Sequence, residues 1–318
     1  MLYYCKNPEG NFGDDLNPWL WSRLAPETCD LSDPTLFVAI GTILSRKLAP
    51  DQMKVVFGAG CGYKRPPVLD RNWVFYAVRG PLTAARLNLK PELVLTDPAL
   101  LVRSVWHQEQ KKRYPVAFMP HHKSMLLADW PALCAKTSIH CIDPRAPLEQ
   151  ILSELGGTEL LLAEAMHGAV VADALRIPWI PVRMYSQFLE FKWLDWTQSM
   201  GLPFNVASIP PIFQHEMKWR QAVTHAWKKA WGKAGLGKEK WKRLQIRKSD
   251  ERQTSETLHA LERLASSHGR SLSSEEVVNR MEMCLRERLE EMRTAWRRKE
   301  FCQETSQRRA TAPGDPKT

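Results

Sequence analysis

The sequence predicts an α/β protein of two doubly wound domains facing one another, followed by a basic helical tail. Three observations carry that reading. Short apolar runs alternate with helical patterns over the first 210 residues, the signature of largely parallel sheets covered by helices. The 318 residues exceed what one hydrophobic core ordinarily supports, which favours two domains plus an appendage. Beyond Pro210 and Pro211 the pattern changes to long helical segments with few turn signals.

Taken in order, strands are predicted over 2–5, 36–40, 55–58, 74–78, 93–96, 116–119, 138–142, 160–163 and 179–182. Helices are predicted over 80–88, 123–136, 147–156 and 167–175. The break between domains falls where Asp97 and Pro98 end the first strand series and the polar stretch HQEQKKRYP precedes the next strand. This divides the chain into an N-terminal domain at 1–110, a second domain at 111–210, a basic helical extension at 211–302 and a disordered end at 303–318. Two such domains would take their ligand between the carboxyl ends of their sheets, so the cleft is the expected active site. In the extension, Trp219, Ala222, Val223, Ala226, Trp227 and Ala230 recur at helical spacing among lysines and arginines. A second helix follows, with Ser274 as its cap and acidic residues in its first turn.

With 44% hydrophobic and 25% charged residues, the composition excludes a disordered or membrane-spanning chain. No run of eighteen apolar residues and no signal peptide is present, so a cytoplasmic location is expected. Seven scattered cysteines without a Cys-x-x-Cys pair argue against a disulfide framework or structural zinc and for reduced, mostly buried thiols. Charge is segregated. Residues 1–210 hold 21 Lys and Arg against 20 Asp and Glu, whereas 211–318 hold 24 against 15, a net of +9. Such segregation speaks of a partner for the tail rather than of the fold.

Three segments stand where strands end. Asn11, Phe12, Gly13, Asp14 and Asp15 follow the opening strand, as a ligand loop or an ordinary turn into a helix. Arg79 and Gly80 lead into a helix, whose N-terminus favours anions; a surface arginine paired with an acid is the plain alternative. Glu164 to Ala169 open another helix and place His167 where it can donate a hydrogen bond or act as acid or base, although a lone histidine is more often structural. His121 and His122 are adjacent and lack a set of carboxylates or cysteines, so no metal and no cofactor is expected.

These segments together resemble the polysaccharide pyruvyl transferase family. The matching features are NFGDDLNPWLW at 11–21, GAGCG at 58–62, VRGPLT at 78–83, TDPALL at 96–101, MPHH at 119–122 and EAMHGAVVADALRIPWIPV at 164–182, in the family's order over about residues 1–200. The nearest branch is the one acting in succinoglycan-type exopolysaccharide synthesis. The resemblance implies two Rossmann-like domains arranged as in B-type glycosyltransferases, with phosphoenolpyruvate as donor between them. It matches Arg79 and His167 to functional residues. The family often supplies a lysine some twenty residues beyond the histidine; Gln187 and Phe188 occupy that neighbourhood here, so Lys192 is preferred as the substitute and Arg183 is the other candidate. Arg79 and Lys192 would bind the donor's negative charge. His167 would move a proton, and Asp14 and Asp15 would accept from sugar hydroxyls or act as base, while Asp97 reads as a cap for the turn before Pro98. Asn11, Gly13, His121, His122 and Arg183 complete the expected binding set. The implied partners are a saccharide acceptor, lipid-linked, and an anionic membrane surface for the tail at the inner face of the plasma membrane; no nucleic acid is expected.

Two other readings use the same residues. A glycosyltransferase taking a nucleotide sugar shares the architecture, so fold cannot separate the two. A non-catalytic protein could instead bind membrane or nucleic acid through tryptophans among lysines, or those tryptophans simply pack the tail against the body.

Overall fold

A computed structural model describes residues 1–62, 65–107, 111–214, 248–267 and 269–301. The first half supplies β1 (Leu2–Tyr3), α1 (Phe12–Leu24), β2 (Leu36–Val38), β3 (Lys54–Phe57), β4 (Trp73–Ala77) and α2 (Pro81–Leu87). The second supplies β5 (Tyr114–Met119), α3 (Trp130–Cys134), β6 (His140–Cys141), α4 (Leu148–Gly156), β7 (Thr158–Ala163), α5 (Met166–Ala174), β8 (Trp179–Arg183), α6 (Glu190–Ser199) and β9 (Ala207–Ser208). Each half builds its own sheet, in the orders β1-β2-β3-β4 and β6-β5-β7-β8-β9, and every pairing is parallel. Burial on both faces explains why these strands read as unbroken apolar runs: β2 and β3 are buried throughout.

Three local expectations are modified for identifiable reasons. The strand expected over 93–96 is reduced to a single bridge between Val94 and Val78, because prolines open the flanking 3-10 turns Pro91–Leu93 and Pro98–Ser104. The helix expected over 123–136 is split into a 3-10 turn, Ser124–Leu126, and α3. Pro131 cannot continue a helix from the preceding turn, so a new one starts with Asp129 accepting from Ala132 N–H. The segment Asn11 to Asp15, read as a ligand loop or a turn into a helix, is the N-cap and first turn of α1 itself. Pro18 lies inside this helix and removes one backbone donor, and the Asn17 side-chain amide takes the Asp14 carbonyl at 3.2 Å.

Each half has a buried cluster of its own, and a larger one is shared between them. The shared cluster runs from Trp21, Phe37 and Phe57 through Met119, Ala163 and Trp179 to Trp193 and Trp296. Helices are exchanged across the boundary: α1 packs on α4 and α5, while α6 packs on α2. Among the described cysteines only Cys61 and Cys134 are buried, so the thiols are less sheltered than expected.

The described residues beyond 210 pack on both halves. Phe213 and Ser249 bond to each other, Ser249 N–H to the Phe213 carbonyl at 2.8 Å and Phe213 N–H to Ser249 Oγ at 3.1 Å, so the chain between them leaves and returns at one place. Then α7 (Glu251–Ala265), opened by the Asp250–Gln253 capping box, buries Leu258 and Leu261 in the second half. A bridge between Ser271 and Trp179 leads to α8 (Glu275–Arg297), whose Ser274 cap accepts from Val277 N–H as the sequence predicts. The last helix lies on the first half, against β4, with Trp296 6.0 Å from Phe37 and Arg293 bonded to Glu27 at 2.7 Å. Residues 248–301 carry 11 Lys and Arg against 11 acids, and 211–247 carry 10 against 2. Most of the excess charge, and Trp219, Trp227, Trp231 and Trp241, therefore belong to the segment 215–247, which lies outside the described residues with the first predicted tail helix; the end at 303–318 also lies outside them.

Candidate active site

The carboxyl ends of β5 and β7 and the N-terminal turns of α1, α5 and α6 converge on one cluster of polar side chains, where open parallel sheets present their loops. His167 is the second residue of α5, with 15% of its side chain exposed, and its Nε2 lies 3.4 Å from Asp97 Oδ2. Asp97 is fully buried and its other oxygen accepts from Ala99 N–H at 3.1 Å. Burial alone would raise its pKa, but the neighbouring His167, with Arg79 and the Ala99 N–H, takes it below the ordinary carboxylate value. A charged carboxylate thus faces one edge of the imidazole, the arrangement that orients a proton-moving histidine. Asp97 does cap the turn, as the sequence suggests, and it has this second contact as well.

The other ring edge explains Gly13. A Cβ placed there would stand 2.0 Å from His167 Nδ1 and 2.7 Å from Cγ, so only a residue without a side chain lets α1 and α5 approach this closely. Asp14 follows, its carboxylate taking the Asn11 side-chain amide. Burial raises the Asp14 pKa above its ordinary value, opposed by Asn11, His167 and Lys192 and assisted by Asp15. Asp15 accepts from Asn11 N–H at 2.9 Å and so closes the first turn of α1.

Lys192, in the first turn of α6, is 8% exposed, and its charge acts on Asp14, His121, His122 and Glu164 together. The rings of His121 and His122 lie 4.2 Å apart. Burial, followed by the cations Lys123, Lys192 and Arg145, lowers His122 to about 4; burial, Lys192, His122 and Lys123 hold His121 well below 6.5. Both are neutral hydrogen-bonding groups at neutral pH. Glu164, not among the site residues expected from sequence, is 2% exposed and accepts from His121 N–H at 2.9 Å; burial pushes its pKa up to about 7. Among the described residues six buried side-chain polar atoms lack a close hydrogen-bond partner, and four belong here: His122 Nδ1, Glu164 Oε1, and Asp97 Oδ2 with His167 Nε2, which face each other at 3.4 Å. Unspent polar capacity of this kind marks a place built for something other than packing.

Two expected residues are placed differently. Arg79 has no exposed surface: it donates from Nε to Asp195 Oδ2 at 3.1 Å, from Nη1 to Thr42 Oγ1 at 2.8 Å and from Nη2 to the Cys61 carbonyl at 3.1 Å. Asp195 also accepts from Thr83 N–H and Oγ1, and a Cβ on Gly80 would fall 1.8 Å from its carbonyl oxygen. Instead of offering a free guanidinium to a donor, Arg79 secures α6, and with it Lys192, to the first half. Arg183 lies at the end of β8 with 44% of its side chain exposed, bonded to Ser208 Oγ and paired with Glu190 at 3.3 Å. Of the two candidate cations, Lys192 is the one drawn into the cluster.

Comparison with known proteins adds two findings. The family model described as Polysaccharide pyruvyl transferase matches residues 67–184, a stretch that takes in Arg79, Asp97, His121, His122, Glu164 and His167 but not Asn11 to Asp15 or Lys192. The Succinoglycan biosynthesis protein ExoV of Rhizobium meliloti (strain 1021) is 41% identical over 212 residues, covering 65% of this chain and 67% of the relative.

Proposed function

We propose, from the premise that this chain belongs to the polysaccharide pyruvyl transferase family, that its cluster moves the pyruvyl group of phosphoenolpyruvate onto a sugar of an exopolysaccharide or of its lipid-linked repeat unit. Two acceptor hydroxyls add to C2 of the donor and the C–O bond to phosphate breaks. One hydroxyl proton ends on the methylene carbon, which becomes the ketal methyl, and the other leaves with phosphate. The observation that carries the reading is His167, set between the Asp97 carboxylate and the bare face of Gly13 with the Lys192 charge in the same cluster. Asp97 at Nε2 and Gly13 at the opposite edge hold the imidazole in one orientation, as a proton-moving histidine requires. Lys192 supplies fixed positive charge for a donor that bears both carboxylate and phosphate.

The test is acceptor-dependent phosphate release from phosphoenolpyruvate. His167→Ala should lower turnover by about 10²- to 10⁴-fold, and Lys192→Met should raise the donor KM, both with the melting temperature little changed. Wild-type kinetics in either folded variant refutes its role, and release from nucleotide sugars in place of phosphoenolpyruvate would favour the glycosyltransferase reading. A lipid-linked acceptor also gives the basic segment a use, since lysines beside an anionic surface contribute on the order of 1 kcal/mol each. No helix among the described residues is long and apolar enough to cross a membrane.

A further inference from the structure

The apolar run of β7 gives way to an acid at Glu164, and the backbone at that point is fixed. Glu164 N–H and Ala165 N–H both donate to the Met119 carbonyl, at 3.0 and 3.3 Å. The carboxyl reaches the loop after β5, where Oε2 takes His121 N–H at 2.9 Å, and Oε1 is buried without a hydrogen-bond partner. A carboxyl this deep, held by one backbone N–H and the Ser124 hydroxyl, is poorly satisfied for an inert core. The groups facing it are His121 on that loop, Ser124 in the following 3-10 turn, Tyr185 beyond β8 and the Lys192 ammonium on α6.

We propose that Glu164 is a positioning residue of the donor site: it ties the His121–His122 loop to the start of α5 and, beside Lys192, sets the net charge that an anionic donor meets. This rests on the donor reading above. When the carboxyl is neutral, it takes nothing from the Lys192 charge that meets the donor. When it ionises, it offsets that charge and repels carboxylate and phosphate. Its burial places the change near neutral pH.

The experiment is calorimetric binding of phosphoenolpyruvate between pH 5.5 and 8.5 to wild type, Glu164→Gln and Glu164→Ala. Donor ionisation is common to all three, so their differences isolate Glu164. Glutamine keeps an acceptor for His121 N–H and cannot ionise. Its affinity should match wild type at low pH and exceed it above pH 7, by about tenfold if the bound donor raises the Glu164 pKa by one unit. Alanine also removes the tether and should bind more weakly than glutamine at every pH. Superimposed wild-type and glutamine curves overturn the charge role, and equal glutamine and alanine affinities overturn the tether. Glutamine keeps the test usable should alanine fail to fold. Wild type that binds no phosphoenolpyruvate at any pH instead removes the donor reading, and this proposal with it.

Discussion

Gly13→Ala is the sharpest test of how the two halves assemble the site. In most helices this change is stabilising, since glycine is worth about 0.5–1 kcal/mol less than alanine there. Here the added Cβ would lie 2.0 Å from His167 Nδ1, 2.7 Å from Cγ and 2.9 Å from Cε1. Ordinary non-bonded contact begins at about 3.5 Å, so ring and helix must separate by about 1.5 Å. Rotating the ring does not help, because a whole edge opposes the methyl and Asp97 stands at Nε2 on the other side. Misplacing a catalytic group by about 1 Å is worth about 10²-fold in rate. Acceptor-dependent phosphate release should therefore fall by at least that factor, while the melting temperature moves by only a few degrees. Adding Gly13→Ala to His167→Ala should reduce turnover little further, since both act through one group. Wild-type turnover in the folded single variant, or full additivity in the double, would refute the proposed contact.

Asp195→Asn should destabilise by about 3–5 kcal/mol in urea denaturation, because it strands the Arg79 charge in a site with no exposed surface. The double change Arg79→Met with Asp195→Leu should recover much of that loss; a cost below about 1 kcal/mol for the single change would show that the pair is not a buried strut. Replacing 215–247 by a short Gly-Ser linker should leave melting unchanged, since Phe213 and Ser249 already bond across the gap and halving a loop alters its closure by only about 0.6 kcal/mol. The same excision should abolish salt-sensitive sedimentation with anionic liposomes, and retained sedimentation would place membrane binding elsewhere.

What the sequence discloses follows from which contacts are local. β2, β3, β5, β7 and β8 are legible because two-sided burial demands unbroken apolar residues, and the Ser274 cap because its hydrogen bond spans three residues. His167 and Asp14 can be singled out as residue types where strands end, and Lys192 only through the resemblance to a family. The start of α1 is hidden by Pro18 and by paired acids that serve the site rather than the helix. The burial of Arg79 is not legible because its carboxylate partner, Asp195, lies 116 residues away. Glu164 and the second role of Asp97 are missed likewise: their partners, His121 and His167, lie 43 and 70 residues distant. An acid directly after an apolar strand, as in LLLAE, is the signal that was available for Glu164.

The seat of α8 bears on how the chain is made. Trp296 and Phe301 cover Phe37 and Tyr76, so the first sheet to leave the ribosome receives part of its cover from residues translated far later. At about 5–20 residues per second, the roughly 220 residues from Ala77 to Trp296 take roughly 10–40 s to synthesise. For that interval the nascent chain holds a parallel sheet whose apolar face is covered only in part, by Trp21 of α1, and such a species is prone to mispair with neighbouring chains. Expression yield should thus respond to translation speed and chaperone supply, even for variants whose finished fold is no less stable.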